Sequence, residues 1–267
     1  MTPLTMTNAK NMLRRLKQRS NNSYQANVCP LYKTDNQARN GILDLAILDK
    51  KYLNQIGCFK KTSSGNLTME LNPTSQKCKE LFEDCPDLSS LDKLESISIG
   101  LQDIYSSSYD AFLESIDHSI KLKELYINSV SRKKVPMHQR YFHNIIKLCK
   151  CTSSKIYLTD IELSSDQLKK LLEKGKHIET FEMIGCKITD FPKEFNLNDK
   201  LIYSIKKLSL RGALNSRCLR IFAAEVLRNS NFRESLKDIT VSKNLQEVAE
   251  KCFEETNISI YADPCNK

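Results

Sequence analysis

Tryptophan is absent from this 267-residue chain, and aromatic residues make up only 7% of it. That scarcity argues against a surface built to stack sugars or nucleobases, which depends on exposed rings. No run of 18 apolar residues occurs, so no membrane span is expected. The first residues hold no apolar stretch of the kind a secretory signal needs. Local catalytic signatures are missing as well. There is no phosphate-cradling glycine loop, no H-E-x-x-H, no G-x-S-x-G and no dinucleotide fingerprint. The expectation is a protein that is not an enzyme and holds no cofactor.

The chain also lacks any C-x-x-C, although it carries ten cysteines. His138, His143, Cys149 and Cys151 lie close together, but their H-x4-H-x5-C-x-C spacing matches no common zinc finger. No metal is expected there. Without a secretory signal, the cysteines are read as free thiols in a reducing, intracellular compartment. The cytoplasm is the preferred location and the mitochondrion the alternative. Cys149, Cys186 and Cys218 are expected to serve as small buried apolar residues.

Acidic residues are missing from positions 1–34, which contribute +6 of the chain's net charge of +9. The arm is taken as residues 1–36 and carries Lys10, Arg14, Arg15, Lys17 and Arg19. Three readings stay open for it. It is a disordered basic tail, a mitochondrial targeting segment, or a docking arm for an acidic protein, RNA or an anionic membrane.

What the chain does contain is a period. Six triplets of the form apolar-x-x-apolar-x-apolar recur: Leu94/Ile97/Ile99, Leu122/Leu125/Ile127, Ser153/Ile156/Leu158, Ile178/Phe181/Met183, Ile205/Leu208/Leu210 and Leu236/Ile239/Val241. Their middle members are 28, 31, 25, 27 and 31 residues apart. Only Ser153 breaks the apolar set. Alternation at period two places the last two members of each triplet on one side of a short strand. About 28 residues then suffice for a strand, a helix and two turns, and stacked units bury the face that a single unit leaves open. Met69/Leu71, Ile258/Ile260 and Leu43/Leu45/Ile47 extend the series toward both ends.

Helices are expected between the strands. Ser164-Ser165-Asp166-Gln167 is a capping box ahead of Leu168, Leu171 and Leu172. Asn215 and Ser216 are N-cap candidates before Leu219, Phe222, Val226 and Leu227. Tyr109, Phe112, Leu113 and Ile116 make an amphipathic face, and Ile145, Ile146, Leu148 and Cys149 mark a further helix. Gly185 and Gly212 fall two residues past their strands, where a shared turn favours glycine.

The segment IETFEMIGCKI resembles the leucine-rich-repeat family, with Ile178, Phe181, Met183, Cys186 and Ile188 in every slot of L-x-x-L-x-L-x-x-N/C-x-L. Its long period is similar to the ribonuclease-inhibitor-like subclass. Elsewhere Ala213 and Val130 stand where Asn or Cys is usual. The resemblance implies an α/β solenoid of about seven to eight units over residues 37–267. A curved parallel sheet would line the concave side and helices the convex side.

In that family the residues between the buried strand positions point into the concave face. Carried over, these are Ser98, Tyr126, Tyr157, Glu182, Ser209 and Thr240. Glu124, Lys155, Lys207, Arg211 and Asp238 flank them. Tyr126 and Tyr157 come from adjacent units and are expected side by side, with Lys155 and Arg211 near them as an interface anchor. The resemblance thus implies a non-catalytic scaffold, or a subunit of a larger assembly, that binds a protein partner. The alternative is a nucleic-acid or ribonucleoprotein binder that uses the basic arm.

Overall fold

The apolar pairs of the sequence are strands, and they lie in register with one another. In the computed structural model, residues 59–61, 67–76, 78, 94–116, 120–131 and 133–263 are described. The basic arm and the Leu43/Leu45/Ile47 segment lie outside the described residues.

A nine-stranded sheet organises the molecule. It begins with β1 (Phe59–Lys61), β2 (Leu67–Leu71), β3 (Leu94–Leu101) and β4 (Leu122–Ser129). It continues through β6 (Thr152–Thr159), β8 (Thr180–Ile184), β10 (Lys207–Arg211), β11 (Asp238–Ser242) and β12 (Ser259–Asp263). Strand order follows the chain without a reversal, and eight strands are parallel; β1 alone pairs antiparallel with β2. A second sheet of three short parallel strands joins β5 (Val135–Pro136), β7 (Ile161–Leu163) and β9 (Lys187–Ile188).

The register pairs Met69, Ile97, Leu125, Ile156, Phe181, Leu208, Ile239 and Ile260 across the sheet. Every one from Met69 to Ile239 is at most 1% exposed. A one-residue slip would turn this whole row to the opposite face, so burial pins the register. The first slot of the β6 triplet is filled differently from expectation. Thr152 takes it, fully buried, with its hydroxyl on the Leu148 carbonyl at 2.9 Å. The pairing shifts by a bulge between Leu122 and Glu124, and Ser153 stays exposed.

Parallel neighbours require crossover connections, and these are overwhelmingly right-handed. With strand order advancing one way, all the crossovers therefore fall on one side of the sheet. They contain α1 (Ser107–Ser115), α2 (Gln139–Cys151), α3 (Ser165–Lys174), α4 (Ser216–Arg228), α5 (Ser230–Ser235) and α6 (Gln246–Phe253). The Ser164–Gln167 capping box is fully formed, and Asn215 caps α4 through the Cys218 amide at 2.9 Å. Tyr109, Phe112, Leu113 and Ile116 all turn into the core.

One unit has no helix. Between β9 and β10, residues 189–206 form an irregular segment. Pro192 and the Asn196/Asn198/Asp199 run disfavour a helix. Phe195, Leu197, Tyr203 and Ile205 instead bury themselves, each at most 3% exposed. Phe195 meets the Phe222 ring of α4 at 5.8 Å. Glu225 of α4, 4% exposed, accepts from the Leu197 amide and pairs with Arg228 at 2.8 Å. That bond satisfies a buried backbone donor that no secondary structure serves.

Gly185 and Gly212 adopt φ of +64° and +70°. Asp160, with φ +55°, takes the matching place after β6. The three left-handed residues turn the chain at the C-terminal ends of neighbouring strands β6, β8 and β10, and Gly185 is also crowded. A Cβ there would lie 2.3 Å from Asp160 Oδ1.

Cys149 and Cys186 are fully buried as the sequence suggests, whereas Cys218 is half-buried. Among the described residues, Cys149, Cys186, Cys218 and Cys252 form no disulfide. Burial, the largest cause, pushes the Cys186 thiol up to about 11 and raises Cys149 further still.

Candidate binding face

Residues that alternate with the buried row point to the side of the sheet that carries no helix among the described residues. They pair across it in the order Glu70, Ser98, Tyr126, Tyr157, Glu182, Ser209, Thr240 and Tyr261. The preceding row includes Glu124, Lys155, Lys207 and Asp238. All eleven sequence-predicted face residues therefore fall on strands of one sheet.

Tyr126 and Tyr157 are direct cross-strand neighbours, and their rings stack at 4.7 Å with planes only 2° apart. A cross-strand aromatic pair of this kind stabilises by about 0.2–1 kcal/mol. The Tyr126 hydroxyl donates to Glu124 Oε2, and Lys155 Nζ lies 3.6 Å from Glu124 Oε1. Burial, and then the Glu124 carboxylate, hold the Tyr126 phenol protonated, far above its usual range. Lys155 is raised by the Tyr157 hydroxyl first and by Glu124 after it. The two rings and their polar rim thus hold one another in place.

Arg211 is elsewhere. Its guanidinium donates to Glu182 Oε2 at 3.0 Å, Asp263 Oδ2 at 3.2 Å and Ser209 Oγ at 3.0 Å. It ties β8, β10 and β12 together and does not belong to the tyrosine anchor expected of it. Ser209 is only 6% exposed and serves Arg211 from within the sheet. Ser98 donates to Asn128 Oδ1 at 3.2 Å. Lys207 is exposed and Asp238 and Thr240 half-buried, so these remain accessible to a partner.

Two shallow recesses open on this side. One includes Glu70, Ser96, Ser98, Glu124 and Tyr126, and the other Glu182, Lys207, Arg211, Asp238, Thr240 and Tyr261. The carboxylates Glu124 and Glu182 are engaged by neighbouring side chains, which suits a surface that presents shape and charge. Sequence reasoning omitted Glu70, Tyr261 and Asp263. The alternation Ile258-x-Ile260 already placed Tyr261 in the outward slot, where it is 52% exposed. Asp263 had no such signal, because its role depends on Arg211 reaching across β11.

A second cluster, on the helical side, went unread in the sequence. Arg140 lies over the Tyr105 ring at 5.1 Å and donates to its hydroxyl at 3.2 Å. Tyr105 in turn donates to Asp110 Oδ2 at 2.7 Å, and Asn144 binds Asp110 Oδ1 at 3.0 Å. These bonds join α1 to α2. His138 precedes α2 and is exposed, as is His143 within it, while Cys149 is buried. Among the described residues no group of histidine, cysteine and carboxylate side chains is placed to hold a metal. No helix among the described residues is long and apolar enough to cross a membrane. No protein-family model matches the chain, and no curated protein matches it.

Proposed function

We propose that this chain is a leucine-rich-repeat solenoid and a non-catalytic module that binds a protein partner through the open side of its sheet. The observation that carries the reading is the stacked Tyr126/Tyr157 pair, pre-formed on a sheet face that no described helix covers and rimmed by Glu124 and Lys155. Sequential parallel strands with one buried row per unit support the repeat assignment. Protein interfaces concentrate their energy in a few tyrosine, tryptophan and arginine anchors surrounded by a polar rim. A tyrosine already held in its bound geometry loses little side-chain entropy on docking.

The test is affinity capture from native cells with the full chain and with the Tyr126→Ala/Tyr157→Ala variant, compared by quantitative mass spectrometry. A partner held by the parent chain should be lost from the variant and kept by a variant altered only on the helices. Retention of every partner by the tyrosine variant would overturn the assignment of the face. Role as a scaffold or as a subunit of an assembly would follow from whether the captured set is one protein or a complex.

A further inference from the structure

Helices α2, α3 and α4 carry nine lysines and arginines against three carboxylates, Asp166, Glu173 and Glu225. Two of those three acids are occupied by the irregular segment between α3 and α4. Glu173 accepts from the Asn198 amide at 3.1 Å, and buried Glu225 accepts from the Leu197 amide. The cations meanwhile face solvent: Lys150, Lys170, Lys174, Arg217 and Arg220 are all exposed, with no ion pair among the described residues. The flanking helices reverse the sign, since α1 has Asp110 and Glu114 without a base, and α6 has two glutamates against Lys251.

Helix chemistry explains only part of this. Lys150, Lys174 and Arg228 sit in last turns, where the negative end of the helix dipole favours them. Arg140 and Arg217 sit at the opposite end, in first turns that contain no acidic residue. There the dipole disfavours positive charge. Arg140 is held by the Tyr105 ring and hydroxyl, but no ion pair or side-chain hydrogen bond among the described residues accounts for Arg217.

The three helices carry no exposed large apolar side chain, although Ile202, 75% exposed, lies in the segment between α3 and α4. The exposed large apolar residues described are Ile104, Ile202 and Tyr261, none of them on these helices. Protein interfaces are depleted of lysine and need buried anchors at their centre, and membrane-surface helices need an apolar face to insert. The surface is net cationic, with nine basic residues on the helices against exposed Asp166, Asp190, Glu194 and Asp199 on and between them. Such an excess suits the phosphate backbone of nucleic acid, where affinity comes from counterion release. We propose that the α2–α4 side of the molecule binds nucleic acid through its phosphates, without choosing among bases. This surface is opposite the tyrosine face and independent of the protein-binding reading.

The test uses the full chain, because the basic arm is a competing source of affinity. Binding of a fluorescein-labelled oligouridylate is followed by anisotropy over a salt series, alongside flotation with phosphatidylserine vesicles. The Lys170→Glu/Arg217→Glu/Arg220→Glu variant should lose affinity at least about tenfold. Its log K against log salt slope should fall by about 2, at about 0.7 per lost contact with a single strand. A Lys133→Glu/Lys237→Glu/Lys243→Glu control makes the same change in net charge at exposed sites off these helices. It should keep affinity to within about twofold, and circular dichroism melts of both variants should match the parent chain. The proposal is overturned if the parent chain binds no RNA at low salt, or if it binds only vesicles. It is also overturned if the helix variant binds as the parent does, which would leave the arm as the source. Equal losses in both variants would mean that net charge alone matters, and would overturn it too.

Discussion

The two sides of the sheet are made from the same strands yet are chemically opposite. On the helical side, Ile156, Phe181 and Leu208 disappear into one continuous core. One residue along each strand, Tyr157, Glu182 and Ser209 stand on the open side in a lattice of rings, ion pairs and hydroxyls. Charge separates the same way. Carboxylates outnumber cations in the outward strand rows, with Glu70, Glu124, Glu182, Asp238 and Asp263 against Lys155, Lys207 and Arg211. Helices α2–α4 carry the opposite excess. A parallel sheet with every crossover on one side frees its other side from the demands of the core. That side can vary in sequence at little cost to folding, which is why the proposed recognition is placed there.

The sharpest way to break this comparison is to exchange the character of adjacent residues. Phe181→Asp should unfold the protein, because a charge buried without a partner costs well over about 4 kcal/mol. Circular dichroism at room temperature would show the loss directly. Glu225→Ala should cost about 2 kcal/mol in denaturant melts, since it strands the buried Leu197 amide and removes a charged acceptor.

Alkaline pH probes the covered side without a mutation. Cys186 is a neutral thiol whose pKa rises from 9.0 to about 11 on folding. The unfolded chain therefore loses its proton first, and stability should fall as pH climbs from about 9 toward about 11. Comparing melts across that window with Cys186→Ala should show a shallower decline in the variant. An identical decline would mean that other buried thiols, such as Cys149, carry the effect.

Effects on the open side should be smaller. Arg211→Met removes two ion pairs on a half-buried surface and should cost about 1 kcal/mol, read as a small shift in the denaturant midpoint. Tyr126→Ala should cost less than about 1 kcal/mol while abolishing partner capture. A large loss of stability at Tyr126 would make the ring pair a folding element and remove the contrast between the two sides.

The regular part of the fold was legible because it rests on local periodicity. Ile97/Ile99 and Leu208/Leu210 declare a strand and its buried side within three residues. The Ser164 capping box and the post-strand glycines Gly185 and Gly212 announce their own geometry just as locally. Tyr126 and Tyr157 were found as neighbours because the repeated triplet aligns equivalent positions of successive units, although unit lengths vary from 25 to 31 residues. The departures were hidden for the complementary reason. Thr152 replaced Ser153 through a bulge, which a fixed template cannot express. Residues 189–206 lack a helix because Pro192 and the Asn196/Asn198/Asp199 run disfavour one, and only the fold shows that Glu225, far along the chain, satisfies the Leu197 amide left open.

From the chain alone come the period, the inward row of each strand, the caps and the list of residues sharing the open side. These depend on alternation and on short-range steric and hydrogen-bonding rules. Only the folded structure decided that Arg211 belongs to Glu182 and Asp263 and not to the tyrosines. It also decided that two of the three acids on the cationic helices are spent on a loop. Side-chain reach across strands and the satisfaction of buried amides are properties of three-dimensional neighbours. No periodicity in one dimension encodes them.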